Sequence, residues 1–229
     1  MSFGILCVIV TIKFDEGAWI TVLVTGFLVV TALYIRHTYN KLGLKIGKMN
    51  FLVNRIEKLG LPVEPDSNPV PHSNDDPTAV MLVSGYNGLG MSALLSLLSY
   101  HGRSFHNIVF IQIGLVDNSI LNSPENLEKL QEKIQVETGK YAALVKRFGF
   151  NSENFWSIGS DMVSEVMKIA PGIHEKYPKA IFFAGQIVMK NNSVVDRILH
   201  NYQSFSLQRH LFQEGIPFEL LPISLEVEN

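Results

Sequence analysis

The chain has 229 residues, enough for one large or two small domains. A formal charge of −2 leaves no basic excess of the kind that binds nucleic acid, and a single cysteine, Cys7, excludes an internal disulfide. Charge is unevenly placed, because Lys13, Asp15 and Glu16 are the only Asp, Glu, Lys or Arg residues before Arg36.

The uncharged apolar run Gly17–Ile35 dominates the N-terminal part. As a helix its roughly 19 residues span about 28 Å, close to the hydrocarbon thickness of a bilayer. A secretory signal peptide needs a basic start, and residues 1–12 carry no Lys or Arg. The apolar stretch Phe3–Ile12 is too short to cross alone and reads as the back half of an earlier span. Lys13–Phe14–Asp15–Glu16 makes the turn between them, and Trp19 lies at interfacial depth. After the span come Arg36, Lys41, Lys45, Lys48, Arg55 and Lys58, opposed in that stretch by Glu57. The positive-inside rule therefore places the C-terminal side in the cytoplasm of a cell (inner) membrane protein, with the lipid bilayer as a partner.

Leu42, Ile46, Met49, Val53 and Ile56 step four and three residues apart, a helical stripe with Lys41, Lys45, Lys48 and Arg55 on another face. This predicts a juxtamembrane amphipathic helix within 38–60, lying on anionic headgroups or against the protein's own body. Residues 59–78 hold five of the ten prolines and no periodic apolar pattern, so a linker is expected over 61–78. The expected organisation is a membrane hairpin over 1–37, the helix, the linker, and a cytosolic α/β domain over 79–229.

Within that domain Ala79–Ser84 reads as a buried strand, followed by a glycine-rich turn and a helix over Met91–Tyr100. A second strand, Ile108–Val116, leads to a long amphipathic helix from Pro124 to Phe148. A short strand over Phe155–Ile158 precedes a helix over Asp161–Ala170, with Ser160 as its N-cap. Ala180–Ala184 is a third strong strand. Two helices follow, near Ser193–Asn201 and across Ser204–Gln213, and Pro217–Ile223 is the final strand. Strands alternating with helices predict a doubly wound parallel sheet covered on both faces.

The turn Ser84-Gly85-Tyr86-Asn87-Gly88-Leu89-Gly90 stands where such domains often bind phosphate, after the first strand and before a helix N-terminus. Its G-x-x-G-x-G spacing matches neither the G-x-G-x-x-G dinucleotide fingerprint nor a Walker loop. Two readings stand: a tight turn that needs positive φ, and a nucleotide cradle. Asp117 ends the second strand, where a Rossmann domain places its ribose-binding acid. Tyr141 and Lys146 are one residue too far apart for a dehydrogenase pair and read as ordinary helix residues. The seven histidines form no metal-binding spacing and no G-x-S-x-G elbow occurs, so neither a metal site nor a catalytic residue is expected, and the chain reads as a non-enzyme.

Two stretches resemble known families. Lys13-Phe14-Asp15-Glu16-Gly17-Ala18-Trp19-Ile20, the apolar span and Arg36-His37-Thr38-Tyr39 resemble the last transmembrane hairpin of permeases in the amino acid–polyamine–organocation superfamily. Residues 79–223, including Ser157-Ile158-Gly159-Ser160-Asp161 and the strand ending in Gly185, resemble a universal stress protein domain in layout. The second resemblance implies a flavodoxin-like five-stranded sheet and, in some members, ATP binding through G-x2-G-x9-G-[ST] after the fourth strand. Gly185 matches its first glycine, Val188 stands at the second, the third is missing, and Ser84 replaces the usual acid after the first strand.

Together these imply the C-terminal part of an amino acid permease-like transporter with a cytosolic regulatory domain, unable to transport alone. Its partners would be the remaining transporter helices and a second copy through the cytosolic domain. The alternative is a short membrane-anchored nucleotide-binding sensor. In either case no cofactor is expected beyond a nucleotide ligand, held by Ser84, Gly85, Asn87, Gly88, Gly90 and Gly185.

Overall fold

A computed structural model describes residues 19–36, 73–116, 124–188 and 194–224. The expected half-span, the turn Lys13–Glu16, the amphipathic helix within 38–60, most of the linker and Asp117 lie outside the described residues. The chain divides into two units, Met1–Gly47 and Lys48–Asn229.

In the first unit, helix α1 (Trp19–Arg36) is 18 residues long with a mean hydropathy of 1.8. Length and composition suffice to cross a membrane, and its large apolar side chains, Leu23, Phe27, Leu28 and Val30 among them, are exposed. The Thr31 hydroxyl donates to the Phe27 carbonyl at 2.8 Å, so this polar group is satisfied within the helix.

The second unit is a doubly wound α/β domain. Its elements run β1 (Thr78–Val83), α2 (Gly88–His101), β2 (Asn107–Leu115), α3 (Pro124–Arg147) and β3 (Asn154–Gly159). They continue with α4 (Met162–Lys176), β4 (Ala180–Val188), α5 (Val194–Gln213) and β5 (Phe218–Ser224). The five strands are parallel in the order β3-β2-β1-β4-β5, so the winding reverses between β1 and β4. Both faces are covered, and β1 is accordingly buried along nearly its whole length. On one face Val80, Val109 and Phe182 pack against Val166, Ala170 and Ile173 of α4 and Leu207 and Leu211 of α5. The alternate residues Met81, Phe110 and Phe183 point to α2 and α3, where the Phe110 ring stacks on Tyr141 at 5.0 Å. Pro222 sits in β5, an edge strand, where a missing donor is tolerated.

The sheet's contacts begin before β1. Asn107, buried in β2, donates its amide to the Ser73 carbonyl at 2.9 Å and to the Thr78 hydroxyl at 3.0 Å. The Pro77 carbonyl accepts from the His106 backbone. Thr78, expected in the linker, is the fully buried first residue of β1.

Two helices differ from expectation. The N-cap of α4 is Asp161 rather than Ser160: its carboxylate accepts from the Ser164 amide at 2.8 Å. The same helix runs through Pro171 to Lys176, because Val166, Ala170 and Ile173 bury one continuous stripe on both sides of the proline. A single helix, α5, replaces the two expected after β4.

Candidate functional site

The winding reversal leaves a crevice outside the carboxyl ends of β1 and β4, the place where open α/β sheets bind ligands. A cavity of about 240 Å³ lies there. Leu82, Ile111, Ile113 and Ala184 form its floor from three strands. Met162 opens α4 on one side, Leu207 comes from α5, and Leu89 and Ala93 come from the first turns of α2. Polar contributions come from Ser84, Gln203 and Ser204. Among the described residues, no charged side chain lines the cavity.

Three of the six expected ligand residues, Ser84, Gly90 and Gly185, line this crevice. Gly85 and Asn87 belong to the turn beside it, and Gly88 is the buried first residue of α2. Gly185 lies inside β4 rather than after it, with the ladder to β5 continuing through Val188 and Ser224. β4 thus runs past the strand expected over Ala180–Ala184, and Gly185 lines the crevice from within it. A side chain at Gly185 would meet Ile223 Cδ1 at 2.5 Å and Ala93 Cβ at 3.2 Å, so packing between β5 and α2 explains this glycine.

The turn itself is built by contacts from within the protein. Gly85 has φ of 133°, which disfavours any residue with a Cβ. Asn87 is the N-cap of α2, and its side-chain oxygen accepts from the Gly90 amide at 3.0 Å. Tyr141, on α3, reaches across the turn and donates its hydroxyl to the Gly85 carbonyl at 3.1 Å. That hydroxyl fills the volume a Cβ on Gly90 would need. Burial pushes the Tyr141 hydroxyl well above the usual tyrosine range, so it stays a donor at physiological pH. The Tyr86 ring meets Tyr141 edge-on at 4.8 Å and carries the Lys140 ammonium 5.3 Å from its centroid. Beneath the turn, Gln112 donates to Glu137 at 2.7 Å, and that carboxylate lies 3.1 Å from where a Gly85 Cβ would stand.

The tight-turn reading has a geometric basis. Gly85 meets the positive-φ requirement, whereas Gly90 answers to Tyr141, a residue that sequence spacing assigned to an ordinary helix position. A contact 56 residues distant leaves no trace in local periodicity. Gln203 and Ser204 were likewise missed, because α5 carries no motif over this stretch.

A second polar cluster lies near the carboxyl end of β3. Glu165 is 6 % exposed, accepts from the Ser157 hydroxyl at 2.5 Å and pairs with Lys168 at 2.5 Å. The bond from Lys168, then that from Ser157, holds its carboxyl below the usual range. Gly159 is required beside it, because a Cβ there would overlap the carboxylate. These contacts account for both carboxylate oxygens and fix α4 to β3.

No protein-family model and no curated protein matches the chain. Among solved structures it is similar to a protein from the universal stress protein family from Burkholderia pseudomallei. That similarity has 14 % sequence identity and a TM-score of 0.44, and it covers 67 % of this chain and 100 % of that one.

Proposed function

We propose that the chain is the cytoplasmic regulatory end of an amino acid permease-like membrane protein. In this reading α1 is a transmembrane helix, and the α/β domain senses a small ligand without enzymatic activity. The observation that carries the sensing part is the crevice at the winding reversal, walled by apolar side chains and edged by Ser84, Gln203 and Ser204. Ligand pockets combine these features, an apolar body for burial and a few polar groups for orientation. The transport part is supported by the resemblance over Lys13–Ile20 and by the length and hydropathy of α1. One such helix builds no substrate pathway, so this chain reconstituted alone is expected to move no amino acid.

Titration calorimetry of the full chain in detergent against adenine and guanine nucleosides and nucleotides tests the sensor. Saturable heat with at least one series is expected, and no heat with any of them overturns it. Sequencing upstream of the coding region tests the transport part: further spans in frame, or behind a frameshift, are expected. An unrelated gene ending there overturns it and leaves the membrane-anchored sensor by itself.

A further inference from the structure

We infer that α5 rests its outer face on an anionic membrane surface; this depends on α1 being the transmembrane helix of the proposed function. The inner face of α5 is fixed by Leu207 and Leu211, both buried in the core. On the outer face Phe205, Arg209 and Phe212 stand four and three residues apart, within about 60° of one another around the helix axis. The two phenylalanines are each 54 % exposed, and Arg209 is exposed between them. Among the described residues Arg209 makes no ion pair. Rings flanking a cation on one helix face form an interfacial pattern, with apolar groups for the acyl boundary and a charge for the headgroups.

Charge decides between a bilayer and a second copy of the chain. From Arg197 to Gln213 the sequence of α5 carries two arginines, two histidines and no Asp or Glu. A two-fold pairing of α5 with its copy would set Phe205 against the copy's Phe212. It would also set Arg209 against itself, because position 209 lies near the midpoint between the rings. Like charges at that place oppose association. Anionic headgroups neutralise the guanidinium instead, and its long apolar stem lets it reach them while the rings enter the acyl boundary. A bilayer is close at hand, since α1 is long and apolar enough to cross one. Residues 37–72 join α1 to Ser73, a length of chain that spans at most about 120 Å when extended. Tethering of this kind raises the effective concentration of the surface, so a weak contact becomes populated.

The test uses the full chain with Cys7→Ser and Gln213→Cys, reconstituted in phosphatidylcholine vesicles with and without phosphatidylglycerol. Position 213 is exposed, one turn from Arg209 on the same side, and its cysteine carries a fluorophore. Brominated acyl chains are expected to quench the fluorophore in the anionic vesicles and much less in the neutral ones. Arg209→Gln should lower the ratio of docked to free domain about fivefold, the effect of one cation at an anionic surface. Phe205→Gln combined with Phe212→Gln should remove the quenching and leave thermal stability and resistance to carbonate extraction unchanged. No quenching in a chain that still resists extraction overturns the inference and leaves the transmembrane reading standing. Quenching that is equal in neutral vesicles, or undiminished by the phenylalanine changes, also overturns it. A disulfide between copies through the unlabelled cysteine, without lipid quenching, overturns it and gives the stripe to a second copy. A chain that carbonate extracts overturns the transmembrane reading and this inference together.

Discussion

Tyr141 and Gly90 fit each other as a lock: the phenol oxygen of one occupies the side-chain volume that the other lacks. Gly90→Ala therefore forces α2 away from α3 or expels the hydroxyl, and should cost about 1–3 kcal/mol. Tyr141→Phe alone leaves the Gly85 carbonyl without its donor and should cost about 1 kcal/mol. Combined, the two changes should destabilise by less than their sum, since the phenylalanine vacates the space the alanine needs. Denaturant melts of the four proteins give the coupling, and strict additivity would contradict the contact.

The same hydroxyl sets a pH dependence. Its ionisation is raised by burial, so the folded chain keeps a proton that the unfolded chain releases above about pH 10. The native state then binds more protons, and stability must fall as pH rises through that range. Tyr177 acts in the same direction, through burial and its bond to Glu153 at 2.7 Å. Tyr141→Phe should flatten the alkaline side of a stability–pH curve; an unchanged slope would assign the effect elsewhere.

Glu165 works at the opposite end of the scale. Its carboxyl is held low by Lys168 and Ser157, so its contribution is full above the ordinary carboxylate range and is lost as pH falls below about 4. Glu165→Gln keeps the shape but gives up the charge-assisted bonds, and should cost about 1–3 kcal/mol at neutral pH. The gap between the variant and the parent should narrow as pH falls below about 4. A gap that persists in acid would mean that packing against Gly159, rather than charge, is what the residue supplies.

Much of this architecture was legible. β1, β2 and the first half of β4 are continuous apolar runs because helices cover both of their faces, and AVMLV, IVFIQI and AIFFA announce that burial directly. β4 runs past AIFFA because Gly185 and Gln186 stay in the ladder, in register with Leu221 and Pro222. Pro171 reads as a stop, yet α4 continues to Lys176, since burying Ala170 and Ile173 outweighs the roughly 3 kcal/mol a helical proline costs. Ser160 and Asp161 are both good caps, and one-residue precision is beyond a pattern of residue types. Replacing Asp161 by Ala should lower the melting temperature, whereas Ser160→Ala should leave it nearly unchanged. At the site, local sequence showed the turn but hid the residues that shape it, because Tyr141, Gln203 and Ser204 arrive from other elements.

Asn107 shows how the proline-rich stretch is attached. It is 1 % exposed and bonds Ser73, Thr78 and Asn151 at once, accepting from the Asn151 amide at 3.2 Å. Asn107→Leu preserves bulk but takes one bond each from the Ser73 carbonyl and the Thr78 hydroxyl, which keep their bonds to Asp76, and removes the acceptor of the Asn151 side-chain amide. A loss of about 1–3 kcal/mol is expected from the hydrogen bonds given up. Cleavage by a protease just before Ser73 should accelerate in the variant under native conditions, because the side-chain tether from β2 to Ser73 is gone. Equal cleavage rates would mean that the remaining contacts, the backbone bonds at Pro77 and Thr78 and the Asp76–His106 pair, suffice to hold the segment.

Helix α1 makes the most direct prediction about where the protein resides. Its 18 residues have a mean hydropathy of 1.8, with Leu28 near the middle. A helix with apolar side chains exposed all round is stable in hydrocarbon and a liability in water. The chain should therefore sediment with membranes and resist alkaline carbonate extraction. Leu28→Arg places a charge near the bilayer centre, at a cost of about 2.5–3.5 kcal/mol for insertion. A second arginine in place of Val24, one turn away on the same face, should roughly double that penalty and move the protein to the soluble fraction. If the doubly substituted chain still resists extraction, α1 does not hold the protein in the membrane.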